Sequence, residues 1–139
     1  MPTFERAHHM GLTVCDNQVS AEWYERVLGF KFVKRFEEGI PRILLQHPES
    51  LFHVSLYNHD DRSRDRFSPL RTGLDHIALA VSDEHQLAAW MAHLDELAVP
   101  HSSVHDLGHA RFVSLEDPDG VQIELWLTIV PLQPADMPE

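Results

Sequence analysis

The sequence is poor in cysteine and in basic residues, and it has no long hydrophobic run. Its single cysteine, Cys15, excludes an intrachain disulfide framework and fits a reducing compartment, for which the cytoplasm is the default. No apolar segment is long enough to span a bilayer, and the first residues lack the charged-then-apolar pattern of a signal peptide. We therefore expect a cytoplasmic protein without a membrane partner.

The scarcity of basic residues also excludes a class of partner. Lys and Arg number 11 against 22 Asp and Glu, which gives a formal charge of −11. Nucleic acid requires a basic protein face, so we expect no nucleic-acid partner. The length of 139 residues and the hydrophobic content of 43% predict a single domain, residues 1–139, with an ordinary core.

What the chain does contain is an internal repeat. The segment from His9 to Asp16 recurs in altered form from His76 to Asp83, and each copy begins with His and ends with Asp. The same offset also takes Trp23 to Trp90. A repeat of this kind sets the architecture, and it places two histidines at equivalent positions in two equivalent units.

Hydrophobic periodicity predicts the order β-α-β-β-β in each unit. Alternating residues indicate strands, and apolar residues spaced by four after Asp16 and after Asp83 indicate helices. We predict an α+β fold in which two tandem βαβββ units form a curved, barrel-like mixed sheet around a cavity, with one helix per unit on the outside. The units span about 7–58 and 73–129, joined by a linker at 59–72 and followed by a mobile tail at 131–139.

Strand parity directs three possible metal ligands to the cavity side. His9 and His76 alternate with helix-facing aliphatic residues, and Glu124 lies between Ile123 and Leu125. A strand histidine or glutamate alone is usually a surface residue. The register of the two histidines with the repeat, together with the cost of burying an unpaired carboxylate, favours a divalent ion. Two His and one carboxylate are typical of non-haem Fe(II) sites, although Mn(II), Zn(II) and Ni(II) are also compatible.

These segments resemble the vicinal-oxygen-chelate superfamily, which includes glyoxalase I, bleomycin resistance proteins and type I extradiol dioxygenases. The similarity runs from His8 to about Leu127. It rests on His9 with Leu12-Thr13-Val14, Trp23-Tyr24 with Val27-Leu28-Gly29-Phe30, Asp75-His76-Ile77-Ala78-Leu79-Ala80-Val81, and Asp117-Pro118-Asp119-Gly120-Val121-Gln122-Ile123-Glu124-Leu125.

The resemblance implies a metal held by His9, His76 and Glu124. Glyoxalase I would place a further carboxylate on the fourth strand, where this chain has Ser55. Serine is a poor ligand for a divalent ion, so the chain departs from the glyoxalase I pattern and predicts an open, three-ligand site. His53 shares the face of Ser55, and we assign both residues to substrate binding.

Among three-ligand members, the comparison with extradiol dioxygenases is favoured, which makes Fe(II) the preferred ion. It implies that His105 and His109 position the substrate and transfer protons. The tyrosine that this family carries ten residues before the ligand Glu is Ser114 here. Phe112 and Trp126 are candidates for stacking on a flat substrate, although either could be ordinary filler of the sheet face.

Two other functions remain open. One is a glyoxalase-like lyase or isomerase that uses Zn(II) or Ni(II). The other is a resistance protein that sequesters a drug in the cavity without catalysis. In each case we expect a small-molecule ligand and a homodimer, as is common in the superfamily.

Overall fold

The computed structural model describes residues 1–59 and 65–134. The chain divides into two compact units, one made of Met1–Phe67 with Asp117–Asp119 and the other of Ser68–Glu116 with Gly120–Glu139. We call them unit 1 and unit 2. The predicted linker at 59–72 and the predicted tail at 131–139 lie partly outside the described residues. Within the described ranges, no helix is long and apolar enough to cross a membrane.

Unit 1 contains one helix and a four-stranded mixed sheet. The elements follow the chain as β1 (His9–Thr13), α1 (Asn17–Leu28), β2 (Lys31–Phe36), β3 (Arg42–Gln46) and β4 (His53–Tyr57). The strands are ordered β1-β4-β3-β2, with β1 parallel to β4 and the other pairs antiparallel.

Unit 2 repeats this plan. Its elements are β5 (His76–Ala80), α2 (Glu84–Glu96), β6 (His105–Asp106), β7 (Ala110–Glu116) and β8 (Gln122–Thr128). The strands are ordered β5-β8-β7-β6, with β5 parallel to β8. The predicted α+β class and the two βαβββ units are therefore confirmed, as two four-stranded mixed sheets.

Local sequence explains where the helices begin and end. Asp16 accepts hydrogen bonds from the backbone N–H groups of Gln18 and Val19, and Asp83 accepts one from Gln86. These side chains satisfy donors that a helix start leaves free. Gly29 ends α1 at φ 77°, a left-handed conformation that glycine adopts without a steric penalty.

The edge strand of unit 2 is short. His101 forms only an isolated bridge to Leu115, and the strand itself covers His105–Asp106. The side chain of Ser102 explains the interruption. Its hydroxyl accepts the backbone N–H of Ser114 at 2.9 Å, a donor that a regular ladder would pair with a backbone carbonyl.

The first three residues of the turn Asp117-Pro118-Asp119-Gly120 belong to unit 1. The Tyr24 hydroxyl donates to Asp117 Oδ2 at 3.0 Å, and both residues are buried. The backbone N–H of Cys15 donates to the Asp119 carboxylate at 3.2 Å, and that of Phe67 donates to the Asp119 carbonyl at 3.0 Å. Gly120 has φ 86°, as the turn sequence predicts.

Candidate functional site

Unit 2 brings two of the three predicted metal ligands together. His76 Nε2 lies 3.5 Å from Glu124 Oε2. The two residues belong to adjacent parallel strands, and Glu124 is the register partner of Ala78, two residues beyond His76. Alternation along both strands puts the two side chains on one face. The parity argument therefore identified a contact that the structure contains.

A second carboxylate fixes the imidazole from the other side. His76 Nδ1 lies 2.7 Å from Asp75 Oδ1, and this hydrogen bond raises the pKa of His76, with a smaller contribution from Glu124 against the opposing effect of desolvation. When Nδ1 carries the proton, Nε2 presents a lone pair toward Glu124. Asp75 is a site residue that strand alternation alone does not predict, although it stands next to the candidate ligand His76 in the sequence.

Glu124 is a buried carboxylate with a polar neighbour. It is only 5% exposed, and Gln122 Nε2 donates to its Oε1 at 3.0 Å. Gln122 also lies on β8, two residues away on the same face. Gln122 therefore holds one oxygen of the carboxylate, and the other oxygen faces His76. Alternation along β8 predicts that Gln122 shares the face of Glu124, but it does not reveal this hydrogen bond.

Three rings stack across the sheet of unit 2. His105, Phe112 and Trp126 are successive partners on β6, β7 and β8. The ring centroids are 4.7 Å apart for His105 and Phe112 and 5.5 Å apart for Phe112 and Trp126, with interplanar angles of 16° and 14°. The next partner in the row is Ala80 on β5, a small residue. The stack therefore ends at Trp126, and no side chain larger than a methyl group continues it on β5.

The predicted proton-transfer histidines lie at this stack. His105 is exposed and contributes the outer ring. His109 is half-buried, and its ring centroid lies 6.4 Å from that of Trp126 at a tilted angle of 55°. The structure therefore brings His105 and His109 to the same aromatic row, which occupies the face that also carries Glu124.

Unit 1 holds the remaining predicted residues. His9 is exposed on β1 and is the register partner of His53 on β4. His53 stacks on His8 at a centroid distance of 5.3 Å, and within the described part of the chain its buried Nδ1 has no hydrogen-bond partner. Ser55 is buried two residues further along β4.

The complete predicted triad draws on both units, since His9 belongs to unit 1. Across residues 1–59 and 65–134, no group of three or more His, Cys, Asp or Glu side chains is arranged to hold a metal ion. The His76–Glu124 pair is thus the part of the site that the structure describes. The inclusion of His9 stays a prediction.

Comparison with known proteins assigns the family. A family model described as the glyoxalase/bleomycin resistance protein/dioxygenase superfamily matches residues 6–125. The chain belongs to this superfamily. The resemblance stated from the sequence is thereby confirmed, while no curated protein matches the chain in sequence.

Solved structures share the fold of this superfamily domain. A glyoxylase/bleomycin resistance protein/dioxygenase domain from Frankia sp. EAN1pec has a TM-score of 0.82 at 24% identity, covering 91% of this chain and 99% of that one. Lactoylglutathione lyase from Agrobacterium tumefaciens has a TM-score of 0.71 at 17% identity, covering 91% and 96%. An antibiotic binding protein from Streptomyces sp. CB03234 also has a TM-score of 0.71 at 17% identity, covering 92% and 99%. Identities this low show the fold alone, and the superfamily includes both enzymes and binding proteins.

Proposed function

We propose that this superfamily member is a divalent-metal-dependent enzyme that chelates a small oxygenated substrate at a site formed by His9, His76 and Glu124. The observation that carries the proposal is the 3.5 Å approach of His76 Nε2 to the buried Glu124 carboxylate. A buried carboxylate is costly unless it is paired or bound to a metal. The exposed His9 supplies the third ligand in this proposal.

The donor set fits a divalent ion. Metal–ligand bonds to imidazole nitrogen and carboxylate oxygen are about 2.1 Å long, so two ligands of one ion lie about 3.0–3.4 Å apart. The separation of 3.5 Å between His76 Nε2 and Glu124 Oε2 requires only a small adjustment. Asp75 supports the fit because metal-binding histidines commonly donate their second N–H to a carboxylate.

A bound divalent ion would supply Lewis-acid stabilisation of an enolate or phenolate oxygen of the substrate. The chain's own residues supply orientation and proton transfer. Asp75 and Gln122 hold His76 and Glu124 in place. Ala78 and Ala80 leave space above β5 on the face of these ligands.

The aromatic row favours a planar substrate. A flat ring placed above Ala80 would extend the stack of His105, Phe112 and Trp126 by one member, since successive rings already lie nearly parallel. In that pose the imidazole of His109 is the proposed proton-transfer group. His105 is separated from the pose by the rings of Phe112 and Trp126, so its proposed role is to extend the stack. These features favour a dioxygenase-like reaction with Fe(II) over a glyoxalase-like lyase or isomerase reaction with Zn(II) or Ni(II).

A specific observation also supports a second function. The same aromatic row would retain a flat drug without any reaction, and one structural neighbour is an antibiotic binding protein. In this alternative Glu124 pairs with protonated His76 and no metal is required. Whether the protein binds a divalent metal ion therefore distinguishes the enzyme from the drug-binding protein.

Elemental analysis of protein purified without chelator tests the proposal. We expect the wild type to contain close to one divalent ion per chain. Glu124→Gln should lose most of this metal content, since a neutral amide is a much weaker ligand than a carboxylate. The matched control is Glu96→Gln, which removes the same charge from an exposed position at the end of α2. Iron would favour the dioxygenase reaction, and zinc or nickel the lyase or isomerase.

Full metal content in Glu124→Gln would overturn the assignment. A wild type that contains no metal and gains no thermal stability from added Fe(II), Mn(II), Zn(II) or Ni(II) would establish the sequestration alternative instead. We also propose a homodimer, which the mass of the protein in solution tests directly.

A further inference from the structure

The sheet of unit 1 has a face that collects positive charge. Along β3, Ile43 and Leu45 are core residues, while Arg42, Leu44 and Gln46 are half-buried. Alternation therefore places the latter three on the face opposite the core. We call it the open face of unit 1. The register partners of these three residues on β2 and β4 complete it, namely Lys31, Lys34, Phe36, His53, Ser55 and Tyr57. On β1 it continues with the partners of the β4 residues, namely His9, Gly11 and Thr13.

Two cations on the open face share one aromatic ring. The guanidinium carbon of Arg42 lies 4.2 Å from the centroid of the Phe36 ring, and Lys34 Nζ lies 4.9 Å from the same centroid. Arg42 also lies 5.8 Å from the centroid of Tyr57, its neighbour on β4. We call these four residues the cation–aromatic cluster.

The strand positions of the open face, all within the described residues, offer no carboxylate that would neutralise this cluster. None of the strand positions that form it is Asp or Glu, although the chain has twice as many acidic as basic residues. Arg35, which lies opposite the core residue Ile43, does have an ion pair, with Glu37. Among the described residues, no acidic side chain forms an ion pair with Lys34 or Arg42. Two like charges near one ring repel each other, and an anion from outside would relieve that repulsion.

We propose that the cation–aromatic cluster binds an oxyanion, a carboxylate or phosphate group carried by a small organic molecule. A guanidinium stacked on a ring keeps the N–H groups at its edge free, and these donate in pairs to the two oxygens of a carboxylate or phosphate. Lys34 adds a second charge from the neighbouring row of the sheet. The half-buried rings of Phe36 and Tyr57 provide apolar contact for the organic part of the ligand.

This site uses none of the proposed metal ligands, although His9 lies on the same open face of unit 1. It also changes the expected ligand class. The net charge of the whole chain favours cationic ligands, whereas the open face of unit 1 selects anionic ones. A substrate or drug that uses this site would therefore carry a negative group.

Calorimetric and NMR titration with benzoate, phenyl phosphate and inorganic phosphate tests the proposal. Benzyl alcohol serves as the neutral ligand of matched size. We expect at least one of benzoate and phenyl phosphate to bind at low salt, to weaken as salt increases, and to shift the resonances of Arg42 and Phe36. Benzoate and phenyl phosphate together decide which oxyanion is preferred, and inorganic phosphate shows how much the organic part contributes.

The affinities of single-residue variants for the same ligands test whether the oxyanion binds at the cation–aromatic cluster. Arg42→Gln should weaken binding by about tenfold or more, because a charge-assisted pair of hydrogen bonds is lost. Arg42→Lys should lose a smaller part, since it keeps the charge without the planar fork. The matched control is Arg26→Gln, which removes an exposed charge near the end of α1 and should leave affinity unchanged. Binding should also persist in Glu124→Gln, so that failure of the metal proposal would not be mistaken for failure of this one.

Equal affinity for benzyl alcohol and benzoate, or equal affinity of Arg42→Gln and wild type, would overturn the proposal. Loss of binding in Glu124→Gln alone would do so too, because it would assign the oxyanion to the metal centre. If Arg42→Gln does not fold, Arg42→Lys and Lys34→Gln decide the result: unchanged affinity in both contradicts the site, and weaker binding in either supports it.

Discussion

Replacing Tyr24 by Phe removes a single buried hydroxyl and leaves the ring in place. Tyr24 is 1% exposed and donates to Asp117, which is 4% exposed. Burial, and then the Asp117 carboxylate, raise the pKa of Tyr24 far above its ordinary value, so the hydroxyl remains protonated and remains a donor. In Tyr24→Phe the buried carboxylate loses this donor, and water has little access to replace it.

The size of the effect follows from this geometry. A hydrogen bond to a charged partner contributes about 1.5–3 kcal/mol, and burial places this one within that range. The hydrogen bond from the backbone N–H of Asp119 to Asp117 Oδ1 stays intact in the variant, and this limits the loss of stability. We expect Tyr24→Phe to lower the free energy of unfolding by about 2 kcal/mol, which corresponds to a melting temperature about 5–8 °C lower.

Urea denaturation followed by circular dichroism measures this free energy. Tyr57→Phe is the matched control, since the chain has only these two tyrosines and Tyr57 is half-buried. It should stay within about 0.5 kcal/mol of the wild type. A double-mutant cycle with Asp117→Asn isolates the pair. A loss below about 0.5 kcal/mol in Tyr24→Phe would refute the reasoning.

Two further outcomes follow from histidines next to carboxylates. His101 is 11% exposed and lies between Asp95 Oδ1 at 2.9 Å and the Ser102 carbonyl at 2.7 Å, and the bond to Asp95 is the main cause that raises the pKa of His101. The contribution of this contact to the free energy of unfolding is therefore complete below the ordinary histidine pKa of about 6.5. It is lost as pH rises through the raised pKa of His101 in the folded protein. Because Asp95 is 73% exposed, Asp95→Asn should cost only about 0.5 kcal/mol at pH 5.5 and nothing measurable at pH 9; a constant difference across that range would contradict the assignment. In the metal proposal, Asp75→Ala should lower metal affinity about tenfold in a chelator competition, since it frees the His76 ring, and unchanged affinity would remove Asp75 from the site.

Short-range patterns predicted most of the fold. The repeat of His9 and His76 gave the two units, and helix caps and turn residues followed local rules that the structure obeys. Alternation on β5 and β8 also predicted that Glu124 shares a face with His76. Helix caps, turns and strand faces are predictable because each depends on residues only a few positions apart, and the repeat extends the same local pattern to the second unit.

The features that the sequence did not predict depend on distant residues or on irregularities of a strand. The contact between Tyr24 and Asp117 joins positions 93 residues apart, and no local pattern indicates it. The cation–aromatic cluster depends on a β-bulge between Phe32 and Lys34, which changes the face that the rest of β2 presents. Without the bulge, simple alternation would pair Lys34 with the core residue Ile43 in place of Leu44.

The bonds that join the Asp117–Asp119 turn to unit 1 also affect the order in which the protein is completed during synthesis. Residues 1–67 contain β1 to β4 and α1, yet Asp119, the partner of Cys15, is synthesised 52 residues after Phe67 (119 − 67). At about 5–20 residues per second, that delay is about 3–10 s. Until then the Tyr24 hydroxyl has only water to bond, so the first half of the chain reaches its full stability only when the second half is nearly finished.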